Sequence, residues 1–111
     1  MSEFVTVIVE SPYAGDVERN ERYARACIRD CLLRGEAPFA SHLLYTQAGV
    51  LDDTIKEERD HGIKAGFAWR KQAAKTVVYT DFGISSGMEW GIKHAKELGH
   101  PIEMRSLPEF V

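Results

Sequence analysis

The stretch Phe4-Val5-Thr6-Val7-Ile8-Val9 is a nearly continuous run of apolar residues, most of them β-branched. Such a run is typical of a strand that is buried on both faces, as the strands of a parallel sheet are. Thr76–Thr80 has the same character, and shorter strands are predicted at Ala37–Ala40 and Ile102–Arg105. The sequence therefore predicts a small parallel sheet of about four strands.

Helical patterns separate these strands. Asp16 is suited to cap a first helix with an apolar stripe, which ends at Gly35. Thr54 and Glu57 have the spacing of a capping box at the start of a second helix, and Gly99 ends a third. The order β-α-β-α-β-α-β predicts an α/β fold with three layers, flavodoxin/Rossmann-like, with helices on both faces of the sheet. The predicted helices are 16–34, 54–72 and 86–98.

The composition indicates a single soluble domain. The 111 residues are 44% hydrophobic and 28% charged, which suits one domain spanning 1–111. Fourteen basic residues against seventeen acidic ones give a net charge of −3, which argues against general nucleic-acid binding. No apolar run approaches the ~18 residues of a membrane span, and the N-terminus lacks the features of a signal peptide. We therefore expect a cytoplasmic protein with no membrane partner.

The cysteines and histidines predict neither a metal site nor a cofactor. Cys27 and Cys31 are four residues apart in the first predicted helix, which favours two buried small hydrophobic side chains over a disulfide. The four histidines are scattered at 42, 61, 94 and 100 without ligand spacing.

Three loops follow predicted strands at their carboxyl ends, where ligands of parallel sheets bind. They are Ser11–Gly15, Ser41–Asp53 and Asp81–Gly87. The second is long for so small a domain, which makes it a candidate for function. Tyr13 and His42 lie in the first two loops and can face one pocket, with His42 as a ligand contact or an acid–base group. The alternative is that both side chains only pack within their loops.

The loop at 80–89, TDFGISSGME, connects a strand to a helix. The backbone N–H groups at 86–88 lie in the first helical turn, where they lack intrahelical acceptors and can bind an anion. Ser85 and Ser86 add hydroxyl donors, so a phosphate or a carboxylate fits here. The alternative is that Ser86 only caps the helix, with Glu89 as its capping-box partner.

Two well-known motifs fit this loop poorly. Glycines 83, 87 and 91 are spaced four apart, unlike the GxGxxG dinucleotide fingerprint, and no Walker lysine is present. The stretch at 83–87 does match the GxSxG spacing of a hydrolase nucleophile. No aspartate follows Ser85 to complete a triad, so a hydrolase is disfavoured.

Three groups of residues occur in order along nearly the whole chain: Ser11–Gly15, then Pro38 with His42-Leu43-Leu44, then Ile84–Met88 ahead of Ala95, Gly99 and Pro101-Ile102. Together they resemble the nucleoside 2-deoxyribosyltransferase-like superfamily, in particular its small, often phage-encoded members of uncharacterised function. The resemblance implies a flavodoxin-like sheet and cleavage or transfer at the N-glycosidic bond of a deoxynucleoside or its 5′-monophosphate. It further implies a homodimer or larger homo-oligomer, with a neighbouring chain closing the pocket, in the host cytoplasm if a phage encodes it.

The resemblance also assigns roles to residues. Ser85, Ser86 and Gly87 would hold the 5′-phosphate. The position of Tyr13 in the first loop, independently of the resemblance, suits stacking on a base or a hydrogen bond to a sugar. The expected substrate-binding residues are Ser11, Pro12, Tyr13, Gly15, His42, Asp81, Gly83, Ser85, Ser86, Gly87 and Met88.

One position departs from the family's pattern. The resemblance places the family's catalytic glutamate at Gly91, which offers no nucleophile. Glu89 lies two residues earlier, about 200° around the helix, and a pair with Lys93 is an ordinary explanation for it. We take Asp81 and Glu89 as the catalytic candidates, with Glu10 as a third. Because of Gly91, a non-catalytic nucleotide-binding or sequestering protein is the alternative function, and an interaction module without a small ligand is a third.

Two interior glycines mark the second predicted helix. Gly62 and Gly66 are four apart, on one face with Trp69 and Ala73. Each glycine costs about 1 kcal/mol relative to alanine, so close approach of another backbone is the usual compensation. That backbone belongs either to the sheet or to a second subunit.

Overall fold

The computed structural model describes residues 4–110. Its strands are β1 (Val5–Glu10), β2 (Glu36–Phe39), β3 (Lys75–Tyr79) and β4 (Ile102–Arg105). Its helices are α1 (Val17–Leu33), α2 (Ser41–Leu44), α3 (Lys56–Arg70) and α4 (Ser86–Glu97), and a 3-10 turn spans Pro108–Phe110. The predicted alternation of strands and helices is confirmed, and α2 is a single extra turn inside the second predicted loop.

Within residues 4–110 the four strands form one parallel sheet in the order β2-β1-β3-β4. After β1 the chain continues to β2 on one side, and after β3 it continues to β4 on the other side. The strand order therefore reverses between the two central strands β1 and β3. The crevice outside the carboxyl ends of the strands at such a reversal is the usual ligand site. The predicted α/β architecture is therefore confirmed.

Helices cover both faces of the sheet. On one face, Tyr23, Cys27 and Cys31 of α1 pack with alternate residues of β1 and β3 in the hydrophobic core, and both cysteines are free, as expected. Side chains alternate along a strand, so Ile8 and Glu10 point to the opposite face. There α3 and α4 pack against the sheet and against each other.

The helix α4 begins at Ser86, as predicted, but its cap lies one residue before that serine. Ser85 is its N-cap, and the Ser85 hydroxyl oxygen accepts the backbone N–H of Met88 at 3.2 Å. The alternative in which Ser86 caps the helix with Glu89 as its capping-box partner is therefore wrong. Because Ser86 is the first helical residue, its hydroxyl is left for other contacts.

The start of α3 also differs from the prediction. The helix begins at Lys56 after Ile55, which provides no side-chain cap, so the predicted capping box of Thr54 and Glu57 is wrong. The carboxylate of Asp52 instead accepts both the backbone N–H and the hydroxyl of Thr54, at 3.0 and 2.6 Å. A tight turn therefore precedes the helix.

The glycine face of α3 meets α2 and the loop that follows it. A Cβ built on Gly66 would lie 2.7 Å from Cβ of Ser41, and one on Gly62 would touch the loop after α2. The buried face continues to Arg70, four residues further on, whereas Trp69 is about half exposed. Within residues 4–110 the glycines thus admit α2 and the loop after it, and not the sheet.

A buried ion pair joins the two edge strands. Arg105 of β4 donates from both terminal nitrogens to the carboxylate of Glu36 on β2, at 2.8 and 2.6 Å. Arg105 also bonds the Tyr79 hydroxyl at 3.1 Å and Glu103 at 2.8 Å. The hydrogen bonds that Arg105 donates to Glu36 lower the pKa of this carboxyl group and keep it ionised.

Replacing Glu36 with alanine should lower the free energy of unfolding by about 3 kcal/mol, because Arg105 would remain buried without its bidentate partner. Urea denaturation measures the change. The matched control is Lys56→Ala, which removes a solvent-exposed pair with Asp60 and should cost less than about 1 kcal/mol. Equal losses in the two variants would contradict the role assigned to the buried pair.

Candidate functional site

A cavity of about 560 Å³ lies at the carboxyl ends of the strands, within the range of small-molecule sites. The end of β1, the short helix α2, the inner face of α3 and the first turns of α4 form its walls. Its lining includes predicted residues from all three loops, together with residues of α3. The lining residues used below are Glu10, Ser11, Tyr13, His42, Arg70, Ser85, Ser86, Gly87, Met88, Glu89 and Gly91.

Glu10, the last residue of β1, forms a buried ion pair with Arg70, the last residue of α3. The distance between Arg70 Nη2 and Glu10 Oε2 is 2.5 Å, and the Arg70 side chain is 1% exposed. Burial raises the pKa of Glu10 to about 7, although the Arg70 charge and hydrogen bond lower it. This carboxyl group therefore takes up its proton at a higher pH than an exposed glutamate does.

Arg70 also binds α4. Its Nη1 donates to the carbonyl oxygen of Gly91 at 2.6 Å and to Nδ1 of His94 at 3.0 Å. Because an arginine only donates, His94 accepts through Nδ1, and its ring stacks on Phe67 with centroids 4.0 Å apart. Burial lowers the pKa of His94, and the positive charge of Arg70 lowers it further. The guanidinium thus joins β1, α3 and α4 at one wall of the cavity.

Gly91 makes room for the Glu10 carboxylate. A Cβ built on Gly91 would lie 2.7 Å from Oε1 of Glu10, and closer still to Oε2 and to the carboxyl carbon. No residue with a side chain fits at this position while Glu10 keeps its place. The carboxylate of Glu10 therefore occupies the point at which a side chain of residue 91 would begin.

Ser11 and His42 form a second polar pair in the cavity. The Ser11 hydroxyl and Nε2 of His42 are 2.7 Å apart, and Ser11 is buried. Burial lowers the pKa of His42 to about 4, so its ring is neutral at pH 7. A neutral imidazole can accept from or donate to Ser11, and the pair can shift its hydrogen bond when a ligand enters.

The first turn of α4 offers free donors on another wall. The backbone N–H groups of Ser86 and Gly87 have no acceptor within residues 4–110, nor does the Ser86 hydroxyl. The helix dipole adds partial positive charge at this end. Ser85 uses its hydroxyl oxygen as the cap acceptor, which leaves only its proton for a ligand.

The structure brings most of the predicted site residues together, but four lie outside the cavity lining: Pro12, Gly15, Asp81 and Gly83. Gly15 borders a neighbouring groove. Asp81 accepts the Tyr23 hydroxyl at 2.6 Å and the backbone N–H of Leu107 at 2.9 Å, both on Oδ2. These bonds tie its loop to α1 and to the C-terminal segment.

The other predicted residues line the cavity. Tyr13 is half-buried and donates its hydroxyl to Glu21 at 3.3 Å, while Met88 is fully buried beneath the first turn of α4. Glu89 lies at the cavity's exposed side. The sequence did not single out Arg70. Its position four residues after Gly66 places it on the same helix face as Gly62 and Gly66, and that spacing was the signal that could have identified it.

These features define a parallel α/β domain with a ligand-sized cavity at the reversal of strand order. A family model described as "Domain of unknown function (DUF7768)" matches residues 5–105, so the chain belongs to that family. A solved structure with a similar fold is the 2-deoxyribosyltransferase of the psychrotolerant bacterium Bacillus psychrosaccharolyticus. The TM-score is 0.62 at 19% identity, over 91% of this chain and 72% of that chain, a likeness that shows the fold alone. No curated protein matches the chain.

Residues 4–110 contain no group of three or more histidine, cysteine, aspartate or glutamate side chains arranged to hold a metal ion. None of the helices in this range is long and apolar enough to cross a membrane.

Replacing Gly91 with alanine should destabilise the protein, because the new Cβ must push the Glu10 carboxylate away from Arg70. We expect a loss of about 2–4 kcal/mol in the free energy of unfolding, measured by urea denaturation. Gly87→Ala is the matched control in the same helix. A Cβ at position 87 meets no atom within 4 Å. The Gly87→Ala substitution should therefore leave the free energy of unfolding unchanged or raise it by up to about 1 kcal/mol.

A double-mutant cycle identifies the cause of that loss. In a Glu10→Ala background the carboxylate is absent, so Gly91→Ala should cost little. A cost that stays the same in both backgrounds would contradict the contact with Glu10 as its origin.

Proposed function

We propose that this protein binds a deoxynucleoside or its 5′-monophosphate in the cavity and cleaves or transfers at the N-glycosidic bond. The observation that carries the proposal is one cavity with free anion donors at the start of α4 and a buried carboxylate on another wall. The fold adds support, since the similar solved structure is a 2-deoxyribosyltransferase described as a biocatalyst for nucleoside synthesis.

The cavity walls suit the three parts of such a ligand. The N–H groups of Ser86 and Gly87 with the Ser86 hydroxyl form the phosphate site, since they are unpaired donors at a helix N-terminus. Tyr13 supplies an aromatic face for the base, and the Ser11–His42 pair offers hydrogen bonds to a sugar or base. Assembly as a homodimer or larger, with a second chain closing the cavity, and a cytoplasmic location stay predictions.

The second candidate function is nucleotide binding without catalysis. Gly91 favours it, because a glycine stands where the resemblance places a catalytic glutamate. This candidate uses the same phosphate site and predicts ligand binding with no change to the ligand.

Incubation with each deoxynucleoside and its 5′-monophosphate, followed by chromatography for free base, tests the two candidates. Cleavage predicts free base that increases with time and protein concentration. Thermal-shift measurements with the same compounds detect binding, because a ligand that binds only the folded state raises Tm. Binding without release supports the second candidate, and neither binding nor release would contradict both.

Replacing Ser86 with alanine should weaken the binding of the monophosphate by about 1–3 kcal/mol, because one charge-assisted hydrogen bond to the phosphate is lost. The affinity for the nucleoside should stay the same. Calorimetric titration of both ligands measures the difference, with Ser106→Ala, an exposed serine after β4, as the control. Ser85→Ala is less informative, because it also removes the helix cap. Equal weakening of nucleoside and monophosphate in Ser86→Ala would contradict this placement of the phosphate.

A further inference from the structure

We propose that Glu10 is the catalytic carboxylate of this site, projected from β1 into the space that Gly91 leaves open. The inference rests on the proposed cleavage or transfer at an N-glycosidic bond. It replaces Asp81 and Glu89 with a residue that neither the family match nor the structural likeness points to.

The two oxygens of the Glu10 carboxylate have different surroundings. Oε2 is held by Arg70 at 2.5 Å, whereas no donor within residues 4–110 bonds Oε1. The side chain is 14% exposed and borders the cavity. One oxygen is therefore anchored, and the other is available to a bound ligand.

The other carboxylates suit this role less well. Asp81 lies outside the cavity lining and is committed to Tyr23 and Leu107 through hydrogen bonds. Glu89 borders the cavity but is exposed to solvent, without a partner among residues 4–110. A nucleophilic carboxylate needs a fixed position and little competing water, and among these three only Glu10 combines both with a place in the cavity lining.

The geometry at Gly91 explains how the site has a carboxylate without a glutamate on α4. The Glu10 carboxylate lies where a side chain of residue 91 would begin, so the acidic group reaches this part of the cavity from the sheet rather than from the helix. Arg70 fixes it there, and the Gly91 carbonyl accepts the second Arg70 nitrogen.

The chemical step then needs only the ligand and water. Oε1 of Glu10 forms a bond to C1′ of the sugar while the C1′–N bond breaks, and the bonding electron pair leaves with the base, which takes a proton from solvent. Water, or a second base in a transfer reaction, next attacks C1′ and breaks the ester bond to Oε1. The proton of the attacking group goes to solvent, and the carboxylate is regenerated.

Charged and titratable groups face Glu10 from each neighbouring element. They are Arg70 of α3, His94 of α4, which is bonded to Arg70, and His42 of α2 beside Ser11. His42 titrates near pH 4, and burial lowers the pKa of His94 below its ordinary value, so a rise of activity through about pH 7 reports ionisation of Glu10. Activity at pH 5 should be at least about tenfold below its plateau above pH 8, since only the ionised form attacks.

Base release and monophosphate binding, measured on the same Glu10→Gln preparation, test the assignment. We expect cleavage to fall at least about 100-fold while the monophosphate still raises Tm, because the amide keeps an acceptor for Arg70 but is no nucleophile. Glu97→Gln, a lost carboxylate at the far end of α4, is the matched control and should leave cleavage unchanged. Cleavage that persists in Glu10→Gln, or that is lost in Glu89→Gln instead, would overturn the assignment.

A relocation variant covers the case in which Glu10→Gln fails to fold. Glu10→Ala with Gly91→Asp returns a carboxylate to the same region from α4, and it should regain at least tenfold cleavage over Glu10→Ala alone. A folded relocation variant no more active than Glu10→Ala would overturn the spatial equivalence of the two positions. If the wild-type protein releases no base, the proposed cleavage itself is overturned. If both the wild type and Glu10→Gln release base, only the assignment of Glu10 is overturned.

Discussion

The ion pair between Glu10 and Arg70 holds together three elements that are far apart in the sequence. Glu10 ends a central strand, Arg70 ends α3, and the remaining Arg70 hydrogen bonds go to α4. A buried charge is stable only when it is paired, so each of these elements restricts where the others can lie. The cavity wall follows from that restriction, because the same guanidinium sets the position of the carboxylate and the distance between the two helices.

The two faces of the sheet are built differently. Around α1, aromatic and aliphatic side chains fill the core, and the charged pair of Arg105 and Glu36 is fully satisfied by hydrogen bonds. On the α3 and α4 face, glycines replace bulky residues, Nε of Arg70 has no partner within residues 4–110, and burial shifts the pKa of Glu10 upwards. The second face therefore retains the imperfectly satisfied polar groups that a ligand site needs.

The sequence was sufficient for the architecture because strand and helix periodicity are local signals. The buried runs, the alternation of elements and the three loops at the carboxyl edge all follow from neighbours within about ten residues, and His42 was correctly expected near the first loop. The partners of Arg70 and Asp81 could not be predicted, because Glu10 and Tyr23 lie about sixty residues away from them in the chain. The exact caps failed for a related reason: Ser85 and Ser86 are equally good candidates until the turn before α4 is known.

The close contact between Glu10 and Gly91 limits how this site can evolve. A chain that holds acidic side chains at both positions would crowd two carboxylates into one volume, and a chain that holds neither would leave Arg70 buried without a counter-ion. Single substitutions at either position therefore pass through an unfavourable intermediate, so the acidic residue changes its position only when both positions change together. Within such a lineage, the residues at 10 and 91 would be inherited as a linked pair, and an acidic residue at one would exclude an acidic residue at the other.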